Sequence, residues 1–422
     1  MVRSVLIINL LKKSVKYFLI AYLSCIFFAF TVFHIFFPLL FRIIVYKKLL
    51  MLINYFDNAS TTKIDSRVLE AMSPYLNDFF GNASSNHEFG KKTKNSIEKA
   101  RTQVAELINS HDDEIIFTSG STESINLALK GYVESNFDKG NHIITVKTEH
   151  KAVLATCEYL ETKGFEVTYL NVDQRGVISI DDLNKAIRTD TFLICIMYVN
   201  NETGIIQPIS EIGSIAKENN IRFFCDATQA IGKIVVDVEK DNIDMLCLSG
   251  HKLNGPKGVG VLYKRRGIEL TPLLHGGGQE NGLRSGTYNT PFIVGLGKAC
   301  EIAHNELKAN ALILELISKY LIQELEKITG SIIIGETKSR VPNIIDVLIP
   351  GLNSEIFISK SHHIAISNGS ACTSQIIESS HVLKAMGFSD QECNQSIRIS
   401  IDKSTTENQI NKLVKIIKAE II

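Results

Sequence analysis

Along most of the chain, short runs of β-branched and aromatic residues alternate with longer segments whose apolar positions recur every three or four residues. The short runs cover residues 115–118, 142–146, 166–170, 192–199, 221–225, 245–248 and 259–263. In the segment before the first of them, Ile97, Ala100, Val104, Leu107 and Ile108 line one helix face. This alternation predicts an α/β fold with a mostly parallel seven-stranded sheet covered by helices on both sides. In such sheets sites open at the carboxyl ends of the strands, so chemistry is expected directly after each run. After about Ala299 the pattern changes. A long helical segment, 301–328, leads into a few strands and helices, including 344–349 and 397–401, which reads as a smaller α+β domain.

Composition fits this picture. A chain of 422 residues, 45% of them apolar, can bury the core of one large or two ordinary domains. Charged residues at 21%, with 27 Gly and 8 Pro, exclude a disordered, fibrous or low-complexity chain. The 45 basic and 45 acidic residues are unevenly spread: residues 1–50 hold seven basic and no acidic ones, which leaves the body with 38 against 45, a net −7. A mildly acidic body gives no electrostatic reason to expect direct nucleic-acid binding. The eight cysteines form no C-x-x-C pair and no cluster of metal-ligand spacing, so no metal is expected and a reducing compartment fits. Several, such as Cys195 and Cys225, sit inside apolar runs and read as buried, inert thiols.

The first fifty residues stand apart. Residues 17–41 contain no Lys, Arg, Asp or Glu, a run long enough to cross a bilayer as a helix. Two readings compete: a membrane anchor through 17–41, or upstream sequence read through from a misplaced start, with Met51 opening the natural domain.

The strand ends carry the candidate chemistry. Run 115–118 is followed by Ser119-Gly120-Ser121-Thr122-Glu123-Ser124, a small-residue turn that opens a helix and presents free N–H groups to an anion, although the same pattern also makes an ordinary cap. Run 245–248 is followed by Ser249-Gly250-His251-Lys252, where a lysine could form a Schiff base while its neighbours hold a phosphate; the plainer reading is a surface lysine in a turn. Asp226 ends run 221–225, where a carboxylate is poorly solvated unless it caps a helix or meets a cation. The protonated nitrogen of a pyridine ring is such a cation, and an Asp with a Lys about 26 residues on suits pyridoxal phosphate. His150, after run 142–146, could stack on a planar cofactor and move protons, or serve only as a structural hydrogen-bonder.

At these residues the sequence resembles the pyridoxal-phosphate cysteine desulfurases of the NifS/IscS type. The ordered segments Thr148-Glu149-His150-Lys151-Ala152-Val153-Leu154, Val199-Asn200-Asn201-Glu202-Thr203-Gly204, Asp226-Ala227-Thr228-Gln229, Ser249-Gly250-His251-Lys252, His275-Gly276-Gly277-Gly278-Gln279-Glu280, Arg284-Ser285-Gly286-Thr287, Gly369-Ser370-Ala371-Cys372-Thr373-Ser374 and Ser396-Ile397-Arg398 carry the likeness. It runs from about Tyr55 to the C-terminus, which favours Met51 as the natural start. The resemblance implies the fold of type I pyridoxal-phosphate transferases, with a large domain over 66–304 and a small domain from 51–65 and 305–422.

The resemblance also implies roles. Lys252 would hold the cofactor as a Schiff base, Asp226 would pair with the pyridine nitrogen, and His150 would stack on the ring. Gln229 and Asn201 would contact the phenolic edge or the substrate carboxylate. Ser121, Thr122, Ser249 and His251 would bind the phosphate, with Thr287 reaching in from the other subunit of a homodimer. Arg398 would clamp the carboxylate of L-cysteine, a task suited to a guanidinium. Cys372 would accept the sulfur as a persulfide, releasing L-alanine, and deliver it to an acceptor protein of iron–sulfur cluster assembly or a thiolation pathway. Its polar, small-residue surroundings agree with an accessible thiol, with Cys393 the other candidate for exposure. Ala83 and Lys63 stand where the family often has Pro, Asn368 where many relatives have Ser or Gly, and Ser121 where Ala is common. A selenocysteine lyase or related aminotransferase-fold enzyme is the nearest alternative, and a membrane-tethered persulfide carrier without turnover is the alternative of another class. The catalytic body is expected in the cytoplasm, with a membrane role only if residues 1–50 are translated.

Overall fold

The computed structural model describes residues 17–24, 53–335, 339–369 and 379–421. Residues 17–24 form a helix with exposed Tyr17, Phe18 and Leu19 side chains. Among the described residues no helix is long and apolar enough to cross a membrane; most of the 17–41 run, and Met51, lie outside them.

From Tyr55 onward the chain forms one unit built on a seven-stranded sheet. Its strands are β1 (Ile115–Thr118), β2 (His142–Val146), β3 (Glu166–Leu170), β4 (Thr191–Cys195), β5 (Arg222–Asp226), β6 (Met245–Ser249) and β7 (Gly260–Lys264), in spatial order β1-β7-β6-β5-β4-β2-β3. Six run the same way. β7 is antiparallel to both β1 and β6, so the sheet is mixed rather than parallel throughout. Ten residues separate β6 from β7, too few for the helical crossover that a parallel return requires.

Side chains alternate between two apolar layers, as the period of a strand demands. Phe223, Cys225, Leu246 and Leu248 face one layer, and Phe224, Met245 and Cys247 face the other. Helices α1 (Ser66–Asn77), α2 (Glu88–Ile108) and α6 (Thr290–Glu326) supply the first layer, and α3 (Ser121–Ser135) and α4 (Lys151–Glu161) the second; α5 (Ile209–Glu218) packs beside β5 on the first. α6 starts at Thr290, earlier than the pattern predicts, because Pro291 and two glycines dilute its signal. Those glycines let helices touch: a Cβ at Gly297 would lie 2.6 Å from Ala100 Cα.

A smaller α+β part follows. β9 (Ile344–Leu348) pairs antiparallel with β8 (Ile332–Ile333) on one side and β10 (Ser396–Ser400) on the other. The end of α6, through Leu314, Leu321 and Leu325, covers this sheet with α8 (Glu407–Glu420), and Phe56 joins the same core. Between β9 and β10 lies the short helix α7 (His381–Ala385).

Candidate active site

The carboxyl ends of β1, β2, β4, β5 and β6 converge on a cavity of about 610 Å³. At one end the turn Ser119-Gly120 leads into α3. Gly120, the N-cap, provides no side-chain hydrogen bond, so the first N–H groups of α3 stay available to an anion. This turn lies flat on β7 because a Cβ at Gly260 would come within 2.6 Å of Gly120 Cα. Ser121, Thr122, Ser249 and His251 line this end. Burial, with the Lys252 and Lys257 charges adding, lowers His251 to about 4, so its imidazole is neutral at pH 7.

The floor is acidic. Asp226, the last residue of β5, is buried, and one carboxylate oxygen accepts from Thr228 N at 2.9 Å. His150 caps α4, its Nδ1 accepting from Ala152 N at 3.1 Å. Burial lowers its pKa, with Asp226 opposing and Lys252 assisting, so the ring is neutral and carries its proton on Nε2. Behind it, burial and then the Asp226 charge push Glu149 well above the usual carboxylate range; its side chain accepts from Met197 N. Lys252 stands in the wall on the turn after β6, donating to Ala59 O at 2.5 Å and Ser60 O at 2.8 Å. Gln229 Nε2 donates to the same Ala59 O at 2.9 Å.

Arg398 enters from β10 of the smaller part and is 3% exposed. Its guanidinium donates to Asn201 O at 2.9 Å, Asp57 Oδ1 at 2.9 Å and Ser60 Oγ at 2.7 Å. A fixed, pre-oriented guanidinium at a cavity wall is suited to a carboxylate.

Ten of the residues singled out in the sequence therefore meet in one cavity: Ser121, Thr122, His150, Asn201, Asp226, Gln229, Ser249, His251, Lys252 and Arg398. Thr287 does not line it and is exposed. Cys372 lies outside the described residues. Cys393 proves buried, at 5% exposure, and burial raises its thiol to about 11; helix 390–394 is too short for its pattern to reveal the inward face. The other described cysteines, Cys157, Cys195, Cys225, Cys247 and Cys300, are buried as well, with thiols raised by burial. The wall from Ala59 to Thr61 was given no site role, although Asp57-Asn58-Ala59-Ser60-Thr61-Thr62 is a polar, small-residue run of the kind that forms such walls. Lys257 and Thr228 were missed too.

The cavity suits a phosphorylated pyridine aldehyde. Uncapped helix N–H groups and three hydroxyls meet the phosphate's needs, a buried carboxylate offers a partner for a protonated ring nitrogen, and a lysine amine stands in the wall.

Comparison with known proteins agrees. Residues 54–413 match the family model described as aminotransferase class-V. The chain is 47% identical over 365 residues to the cysteine desulfurase IscS of Methanosarcina thermophila, covering 86% of this chain and 90% of that one. Among solved structures, a NifS-like protein superposes with a TM-score of 0.82 at 41% identity, covering 87% of this chain and 98% of that one. A structure described as SspA in complex with cysteine does so with a TM-score of 0.75 at 40% identity, covering 83% and 99%. The chain belongs to the class-V aminotransferase family, within its pyridoxal-phosphate-dependent NifS/IscS cysteine desulfurases, and it removes sulfur from cysteine.

Proposed function

We propose that the ten cavity residues divide this reaction among them and that Cys372 receives the sulfur. The observation that carries the reading is the convergence of Lys252, Asp226, His150 and Arg398, from four distant segments, on one cavity. Pyridoxal phosphate, when bound, draws electron density from the substrate's Cα and Cβ, which makes the sulfur displaceable. Ser121, Thr122, Ser249, His251 and the head of α3 would hold its phosphate, Asp226 would pair with its ring nitrogen, His150 would stack on its ring, and Asn201 and Gln229 would contact its phenolic edge or the substrate carboxylate.

Arg398 takes the substrate carboxylate. Asp57 and Ser60 already orient the guanidinium, so little side-chain entropy is lost on binding. Lys252 Nζ, within the cavity wall, moves the substrate's Cα proton. His150, with Nδ1 occupied by Ala152 N, offers a proton from Nε2 rather than accepting one there. The Cys372 thiolate attacks the substrate sulfur. The new S–S bond forms as the C–S bond breaks, its electron pair stays with carbon, and protonation there completes alanine. Cysteine plus enzyme thiol thus become alanine plus enzyme persulfide, with no external oxidant.

The buried, high-pKa state of the six described cysteines supports Cys372 as the acceptor, since a thiolate is the nucleophile. The intact cavity favours turnover over a passive persulfide carrier. Exposure of Thr287 suits its assignment to the cofactor site of a second subunit in a homodimer. Residues 66–304 form the cofactor domain, and 51–65 with 305–422 the small domain. A persulfide-accepting protein of iron–sulfur assembly or thiolation, in the cytoplasm, is the partner. The test is a single turnover of the holoenzyme with cysteine. Alanine and a one-sulfur mass increase on the Cys372 peptide are expected; alanine without that increase would move the acceptor role elsewhere.

A further inference from the structure

Glu202 does not line the cavity, yet it is buried at 3% exposure. Its backbone is fixed: Asn200 Oδ1 accepts from Glu202 N at 2.9 Å and from Thr203 N at 3.0 Å, while Asn200 Nδ2 donates to Thr148 O at 2.9 Å. The carboxylate meets two residues far along the chain. Ser380 Oγ donates to Glu202 Oε2. Gly369, at φ 83°, lies so close that a Cβ there would be 2.8 Å from the same oxygen. Gly369 and Ser380 are the described residues that flank the stretch containing Cys372 on either side, Ser379 excepted.

Each flank is tied in turn to the site. Ser380 Oγ accepts from Leu383 N at 3.1 Å and caps α7, while the ring of His381, the next residue, lies 2.9 Å from Glu149 O, beside His150. On the other flank, Gly369 N donates to Ser367 Oγ at 3.2 Å, and Ser367 O accepts from Arg398 N at 2.7 Å. A single buried carboxylate thus touches both flanks, and each flank leads within a few residues to a group of the cavity. Burying a carboxylate is costly unless something needs its charge. Its carboxylate meets Ser380 on one flank and Gly369 on the other, and fixing these two flanks is the work those contacts describe.

We propose that Glu202 is a positioning residue for sulfur transfer: its carboxylate takes the Ser380 hydroxyl and packs against Gly369, and so fixes the two residues between which the Cys372-bearing stretch runs. This rests on Cys372 being the sulfur acceptor. Glu202 acts after substrate capture, so its loss slows thiol attack while cofactor and cysteine binding persist.

The experiment compares the unaltered holoenzyme with Glu202→Ala, Glu202→Gln, Ser380→Ala and the double variant carrying Glu202→Ala with Ser380→Ala. Two signals are followed: the cysteine-induced change in cofactor absorbance, which reports binding, and the rate of persulfide appearance on Cys372 in a single turnover. Loss of one charge-assisted hydrogen bond predicts persulfide formation slowed roughly ten- to a hundredfold in Glu202→Ala and in Ser380→Ala. The double variant should be no slower than either single one, because both remove the same bond. Half-saturation by cysteine should be unchanged, and Glu202→Gln, which keeps an acceptor oxygen, should recover most of the rate. Ser380→Ala supplies the answer if Glu202→Ala does not fold. Equal persulfide rates in all five proteins would overturn the inference alone. Equal losses of cysteine binding and persulfide rate would overturn it in favour of a role at the substrate site. No persulfide on Cys372 in the unaltered enzyme would instead overturn the assignment of Cys372, and this inference with it.

Discussion

Asp346 offers a test that depends on the architecture around Arg398 and not on any ligand. The two residues face each other across β9 and β10. The Arg398 guanidinium turns into the cavity toward Asn201, Asp57 and Ser60, leaving Asp346 fully buried with neither carboxyl oxygen in a hydrogen bond. Burial first, and the Glu202 charge second, raise its pKa from 3.8 to about 8, against a weaker pull from Arg398. The folded protein therefore keeps a proton that the unfolded chain loses above 3.8. An acid raised in this way contributes stability in full below its unfolded pKa, and that contribution drains away as pH climbs toward the folded value. Each pH unit in that window costs about 1.4 kcal/mol, or roughly 4 kcal/mol by pH 7 as an upper bound. Asp346→Asn removes the titration. Its own buried amide carries a desolvation cost, so the offset from the unaltered protein is less informative than the slope. Urea unfolding of both holoenzymes between pH 5 and 9 should show the variant gaining stability relative to the unaltered protein by up to about 1.4 kcal/mol per pH unit, levelling off near pH 8. A difference independent of pH would mean that Asp346 is ionised in the fold and paired with Arg398, which would refute the reasoning.

Three further outcomes are predicted. Arg398→Lys should weaken cysteine binding by roughly 1.5–3 kcal/mol, since an ammonium cannot reproduce a two-pronged clamp; spectroscopic titration with cysteine measures it, and unchanged affinity would assign Arg398 to the fold. Gly260→Ala would push a methyl group against Gly120 Cα and Leu248 O, displacing the turn that heads α3. Overpacking of this kind costs about 1–3 kcal/mol, and cofactor retained after dialysis should fall accordingly; full retention would show that the turn has room to shift. A chain beginning at Met51 should be dimeric and as active as the full chain, because every residue given a role lies beyond it; loss of activity would show that the first fifty residues complete the enzyme.

Much of the architecture is local and therefore legible in the sequence. Strand runs such as 142–146 and 166–170 coincide with observed strands, because β-branched runs flanked by helical periods leave few other solutions. The rim rule then locates His150, Asp226 and Lys252 without knowledge of their spatial neighbours. What escaped was long-range or cryptic. The reversal of β7 was written in the short β6–β7 connection, a signal of length rather than of composition. The start of α6 was hidden by Gly295 and Gly297, which lower helix propensity while permitting close helix contact. The Ala59–Thr61 wall lies about 190 residues from Lys252 in sequence, and no periodicity links them. Glu202 is similar: its neighbour Asn201 lines the cofactor cavity, but its own carboxylate meets Ser380, 178 residues further along the chain.

The central claim, that this cavity passes sulfur from cysteine to Cys372, is tested most directly by one quenched single turnover of purified holoenzyme with isotopically labelled cysteine. Intact-mass and peptide analysis would be read alongside the alanine formed. One alanine per persulfide, with the labelled sulfur on Cys372 and none on Cys393, is predicted. Alanine formed at the same rate by Cys372→Ser, or labelled sulfur found on another thiol, would contradict it.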